Sequence, residues 1–245
     1  MVDTILNGHG IPINTPVPPG FIAIESEDTQ SLEAPNDTRT QQAEEILTEG
    51  GWERNDMGVW EKEIEEEALT LRVAISTANT PLFDQTARYL QETWEALGVV
   101  VSVEQYEQTD LVQAIIRPRS FEALLFGNEI GRSVDLYPFW HSSQKDDPGL
   151  NIAQYTNIDV DALLETARET EDPQQRIDAL QSFTEIVTQE QPAIFLFTPT
   201  FSYVVDNSVT VSNLSKLSTP SERFANIDTW HMAADALWPV FNSQN

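Results

Sequence analysis

The order of periodicities between Leu69 and Phe126 constrains this chain more than any other feature. Leu69-Thr70-Leu71-Arg72-Val73-Ala74-Ile75 alternates apolar and polar side chains, which is the pattern of a strand. Thr80 can cap a helix, Pro81 suits its first position, and Asp84 favours the positive end of its dipole. Phe83, Ala87, Leu90, Trp94 and Leu97 then recur at steps of four and three until Gly98 stops the helix. Val99–Val103 reads as a buried strand, Asp110–Ile116 as a short helix ending before Pro118, and Phe121–Phe126 as another strand. Alternation of strand and helix predicts an α/β domain with right-handed crossovers. Leu69–Phe126 is therefore expected to supply three strands of one sheet, with Phe83, Leu90 and Trp94 turned inward.

The flanking segments are simpler to read. Pro, Gly and Asn are dense from Gly8 to Gly20, so the first forty residues are expected to be extended, without a helix. A helix with Ala43, Ile46 and Leu47 on one face follows, ended by Gly50-Gly51. Trp52–Trp60 reads as a hairpin turning at Asn55-Asp56-Met57-Gly58. Beyond an irregular stretch from Gly127 to Asn157, one helix is marked by Val160, Leu163, Leu164 and Ala167. A second opens at Asp172-Pro173, shows Ile177, Leu180, Phe183 and Val187, and stops at Pro192. Ala193–Phe197 and Phe201–Val205 are expected to pair as strands. Ser208–Ser221 is loop-rich, and Trp230, Met232, Leu237, Trp238, Val240 and Phe241 make the end amphipathic.

Composition removes whole classes of function. Forty acidic against thirteen basic residues give a net charge of −27, which repels nucleic-acid backbones and anionic membrane surfaces. Between Glu25 and Glu67 fifteen side chains are acidic and three basic, which reads as a solvated, solubilising face. No apolar run is long enough to cross a membrane, and the N-terminus lacks the pattern of a signal peptide. With no Cys, thiolate catalysis and disulfide scaffolds are excluded. His9, His141 and His231 are scattered, so no metal or other cofactor is expected. No nucleophile elbow, phosphate loop or dinucleotide fingerprint is present.

One stretch carries candidate chemistry. From the end of the strand Phe121–Phe126 the chain runs into Gly127, Asn128, Glu129, Arg132, Asp135, Tyr137, Trp140, His141, Asn151 and Tyr155. Loops at the carboxyl ends of α/β strands are where such folds bind ligands. Aromatic rings beside hydrogen-bonding groups suit a polar, partly apolar organic solute. The opposing reading is that Tyr137, Phe139 and Trp140 anchor the loop to the core.

These residues also resemble a family. Ile5-Leu6-Asn7-Gly8-His9-Gly10 with Pro16-Val17-Pro18-Pro19 is similar to its Gly- and Pro-rich opening segment. Ala43-Glu44-Glu45-Ile46-Leu47 with Gly50-Gly51-Trp52 resembles its helix end, and Gln91–Val99 its helix-to-strand step. Phe121-Glu122-Ala123-Leu124-Leu125-Phe126-Gly127, Pro138-Phe139-Trp140-His141-Ser142-Ser143 and Asn151 to Leu164 follow in the family's order. Gln191–Leu196 and Arg223–Ile227 complete it. The chain resembles the C-terminal half of family 5 extracellular solute-binding proteins, the dipeptide, oligopeptide and nickel receptors of ABC importers.

The resemblance implies a periplasmic-binding-protein-like lobe of α/β class, a mixed sheet flanked by helices, with the first lobe largely missing. Residues 1–205 would be the second lobe, and 206–245 a segment returning toward the first. It implies a non-enzymatic receptor, extracellular or periplasmic and tethered to the membrane in full-length form. Its partners would be a small peptide or other cationic or zwitterionic solute, and an ABC permease. Peptide-binding members carry a Trp and then an Asp after this strand, where this chain has Asn128 and Gly131; Glu129 or Asp135 is the available substitute. The alternative is a ligand-sensing domain of the same fold that reports to a regulator.

Overall fold

The computed structural model describes residues 1–17, 20, 36–131, 133–211, 217 and 219–232. Arg132, the apolar residues beyond Met232, Pro18-Pro19 and the acidic residues Glu25, Glu27, Asp28 and Glu33 lie outside them. In chain order the elements are α1 (Val2–Leu6), β1 (Gly10–Pro12), α2 (Asn36–Glu49), β2 (Glu53–Arg54), β3 (Trp60–Ile64), β4 (Glu67–Thr70) and β5 (Arg72–Ala78). Then come α3 (Pro81–Ala96), β6 (Val100–Tyr106), α4 (Gln108–Asp110) running into a π-helical segment Leu111–Ile116, β7 (Ala123–Leu125) and α5 (Tyr137–Trp140). The chain continues with α6 (Ile158–Glu169), α7 (Pro173–Glu190), β8 (Phe197–Pro199), β9 (Val209–Thr210) and β10 (His231–Met232).

The central expectation holds. β5 lies between β6 and β7 in a parallel sheet, with Ile75 opposite both Val103 and Ala123. Thr80 caps α3 by accepting from the Phe83 N–H at 3.4 Å, and Phe83, Leu90 and Trp94 are half-buried. The second crossover is wound wider than an α-helix: the Arg117 N–H donates to the carbonyl of Val112, five residues back. That widening turns Leu111, Ile115 and Ile116 together onto Ala78, where Phe83, Tyr106, Phe121 and Leu124 complete a core cluster.

A larger core forms where α6 and α7 pack together. Asn157 and Asp172 cap their N-termini, as the sequence pattern requires. Val160, Leu164, Leu180, Phe183 and Val187 are buried between them, joined by Val134, Leu136 and Trp140 from the preceding loop. Each large side chain buried there contributes about 1.5–3 kcal/mol.

Four expectations are corrected. The strand read as Leu69–Ile75 is two strands in two sheets. At Leu71 the N–H donates to the Trp60 carbonyl of the hairpin sheet (2.8 Å), while its own carbonyl accepts from Val100 (2.9 Å). The alternation does not register that switch: Leu69 is exposed in the hairpin sheet while Ile75 is buried in the parallel one. Ala193–Phe197 does not pair with Phe201–Val205; β8 pairs antiparallel with β1, Ile11 opposite Thr198. The first residues are not wholly extended, since α1 forms ahead of the first glycine and ends on Asn7 at φ 50°. Ile46 is exposed on α2 while Ala43 and Leu47 are half-buried.

The hairpin sheet docks through Trp60, which is 4% exposed. Its indole Nε1–H donates to the Leu97 carbonyl at 2.6 Å and its backbone N–H to the Gly98 carbonyl at 3.1 Å. Gly98 sits at φ +91°, and a Cβ there would lie 2.5 Å from the Gly58 carbonyl oxygen. Gly98→Ala should therefore lower stability by about 1–3 kcal/mol, read as a shifted denaturant midpoint at unchanged slope.

Candidate functional site

β7 is held at the sheet edge by β5, and the Thr77 hydroxyl donates to the Leu125 carbonyl at 3.0 Å. Past Leu125 the chain leaves the sheet, and Phe126, Gly127, Asn128 and Glu129 are exposed. The backbone of Asn128–Ile130 makes no ladder or turn hydrogen bond among the described residues. A Cβ at Gly127 would lie 3.6 Å from the Phe83 ring, so the strand end passes over the start of α3. This is an open backbone edge, and its carboxylate, Glu129, has no ion-pair partner among the described residues.

The other candidate residues divide by burial. Asp135 and Tyr137 are half-buried at the far end of the loop, and Arg168 of α6 meets both. Its guanidinium pairs with the Asp135 carboxylate at 2.9 Å and lies 4.5 Å from the centre of the Tyr137 ring. Tyr137 also stacks on His141, with ring centres 4.1 Å apart. His141 is 7% exposed, and its Nδ1 accepts from the Ser143 N–H at 3.1 Å. Nε2 is buried without a hydrogen-bond partner among the described residues; it lies 3.4 Å from Glu165 and 3.9 Å from Asp161.

Trp140, Asn151 and Tyr155 face inward. Trp140 packs edge-on against Phe183 and Tyr155. Asn151 is completely buried; its Nδ2 donates to the carbonyls of Trp140, His141 and Tyr155 at 2.9–3.2 Å. Its Oδ1 accepts from the Tyr155 N–H at 3.1 Å. The Tyr155 hydroxyl donates to Glu190, which also accepts from Asn157 at 2.9 Å and so joins the end of α7 to the start of α6. These contacts make the aromatic and amide residues the frame of the loop. The exposed part of the loop is Gly127–Glu129, with the Asp135–Arg168–Tyr137 group at its other end. Arg132 belongs to the undescribed residues.

Sequence reasoning passed over Asp161, Glu165 and Arg168, which close on this loop from α6. Asp161 accepts from the Ser142 N–H at 2.8 Å and from the Ser142 hydroxyl. Their spacing of four and three places them on one helix face, and that was the available signal. Among the described residues no group of three or more His, Cys, Asp or Glu side chains is arranged to hold a metal ion.

The profile described as bacterial extracellular solute-binding proteins, family 5 Middle, matches residues 1–149. The chain belongs to that family. The match takes in the whole parallel sheet and the loop from Gly127 to Gly149. The oligopeptide-binding protein AppA of Bacillus subtilis is 26% identical over 194 residues, 78% of this chain and 34% of its own length. The probable D,D-dipeptide-binding periplasmic protein DdpA of Escherichia coli is 26% identical over 215 residues, 85% of this chain and 37% of its own. The chain thus spans about a third of these relatives. In structure it is similar to AppA solved with a nonapeptide, at a TM-score of 0.71 and 23% identity over 95% of this chain and 44% of that one. It is also similar to NikZ of Campylobacter jejuni solved with Ni(L-His), at a TM-score of 0.68 and 21% identity over 94% and 45%. These likenesses establish the periplasmic-binding-protein fold, and the family is one of binding receptors, not enzymes.

Two outcomes follow from the loop's frame. Asn151→Asp keeps the shape but removes the donors to three carbonyls, so it should cost about 3 kcal/mol or more by chemical denaturation. Burial, then the hydrogen bond to Glu190 and that residue's charge, push the Tyr155 phenol far above its ordinary range; a hydrogen bond to Glu104 raises Tyr106 as well. A phenol whose folded pKa is raised adds stability below its unfolded pKa of about 10 and loses that contribution as pH climbs further. Ultraviolet titration should show Tyr106 and Tyr155 ionising above the ordinary phenol range, with unfolding setting in before Tyr155 titrates.

Proposed function

We propose that the chain supplies one lobe of the receptor of an ABC importer and binds a small peptide or similar cationic or zwitterionic solute. The observation that carries this reading is the family match, which encloses both the sheet and the exposed edge at Gly127–Glu129. In the proposed mechanism that edge pairs with an extended ligand backbone in the manner of strand addition, and Glu129 meets a cationic end. Asp135 is already paired with Arg168, so Glu129 is the carboxylate on this face with charge to offer. The net charge of −27 favours the same class of solute. What the relatives are named for supports it too: oligopeptides for AppA and D,D-dipeptides for DdpA.

Residues 1–205 are read as the second lobe and 206–245 as the segment returning toward a first lobe. In support, β9 and β10 pair with each other, and Phe224 and Trp230 pack together within that segment. The family's name supports an extracellular or periplasmic location, and no helix among the described residues is long and apolar enough to cross a membrane; a permease is the partner that the receptor reading implies.

A solute held by one open lobe is incompletely desolvated, so its affinity for this chain should be millimolar or weaker, above roughly −4 kcal/mol. Titrating the labelled chain with short cationic peptides should move the amide resonances of Gly127–Glu129 saturably. N-acetylated peptides should bind several-fold more weakly, and Glu129→Gln should abolish that preference. Peptides that leave these resonances unmoved would sink the reading; micromolar affinity would show that this chain builds a complete pocket by itself.

A further inference from the structure

A pocket takes in the Asp135–Arg168 end of the loop, between it and the α6–α7 pair, and includes none of Gly127–Glu129. Its volume is about 160 Å³, and Leu136, Leu164 and Leu180 supply apolar lining. Asp135, Arg168 and Arg176 line it as well, with Ser133 at the rim. Two of the chain's ten arginines therefore line one small cavity in a protein of charge −27.

The charges in it do not cancel. Arg168 is matched by Asp135. Arg176 is half-buried and has no carboxylate partner among the described residues; one of its terminal nitrogens donates to the Thr170 carbonyl at 3.1 Å, capping the end of α6. A guanidinium carries five N–H donors and keeps its charge at any relevant pH. The pocket thus combines a net positive charge, unused fork-shaped donors and an apolar floor. A carboxylate matches that fork, and a short hydrocarbon chain matches the leucines. At about 30 Å³ per water the cavity has the room of about five waters, enough for such an acid.

We propose that this pocket binds a small aliphatic monocarboxylate, its carboxylate on Arg176 and its chain against Leu136, Leu164 and Leu180. The site is distinct from the Gly127–Glu129 edge and does not rest on the receptor reading. The test is a titration of the labelled chain with sodium butyrate, beside n-butylammonium chloride and sodium chloride at equal ionic strength. Butyrate should give saturable amide shifts confined to 133–136, 164–168 and 176–180, and the other two salts should not. Arg176→Gln should weaken butyrate at least about tenfold, the loss of a charge-assisted hydrogen bond. Ser133→Tyr, which fills the rim from an exposed position, should block binding at unchanged melting temperature, and it decides the matter if the arginine variant does not fold. Equal shifts from sodium chloride, saturation by butylammonium at the same residues, or undiminished butyrate binding by Ser133→Tyr would overturn the proposal.

Discussion

The side-chain amide of Asn151 holds together the part of the molecule on which the candidate site depends. Between β7 and α6 the chain has only short helical turns, so its backbone cannot satisfy itself through a ladder or a long helix. Asn151 supplies the missing partners from inside, bonding to Trp140, His141 and Tyr155 at once. An aspartate of the same shape has no donors, and a glutamine would carry the amide one methylene too far. With this knot tied, Trp140 enters the α6–α7 core and Ile152 the core beside the parallel sheet. One loop therefore spans both cores, and its free edge at Gly127–Glu129 is held at a defined place.

A second joint sets the other end of the sheet. Trp60 and Leu71 together connect the acidic hairpin to β6 and to the end of α3 through backbone bonds, not through apolar area alone. The hairpin can then carry its exposed glutamates in solvent while a single buried ring fixes its position. The arginines are placed differently from these acids. Arg54 lies 4.9 Å from the Trp60 ring, Arg168 closes the candidate loop, and Arg176 caps α6. In a chain with so few cations, their positions mark where the structure needs a directed donor.

Legibility followed the range of the interactions involved. Caps at Thr80 and Asp172, the stop at Gly98 and the faces of α3 and α7 depend on residues within one or two turns, and all were readable. The strand break at Leu71 and the pairing of β8 with β1 depend on partners far away in sequence, and alternation says nothing about which partner is chosen. The same division runs through the site. The position of the loop after β7 follows from α/β order, but the residue types Trp, Asn and Tyr suit a ligand pocket and a buried frame equally well.

The sequence by itself determined the class of fold, the crossovers around the parallel sheet, the acidic surface and the family resemblance, because each is written in local spacing or in summed charge. Only the tertiary structure decided which loop residues face outward. Gly127, Asn128 and Glu129 emerge beyond the last ladder bond, whereas Trp140 and Asn151 turn inward because a buried ring and three buried carbonyls require them. It also decided that Asp161, Glu165 and Arg168 meet the loop, and that Arg176 has no carboxylate partner among the described residues beside an apolar floor. Burial and charge pairing across separate elements are properties of packing, and no spacing within one element encodes them.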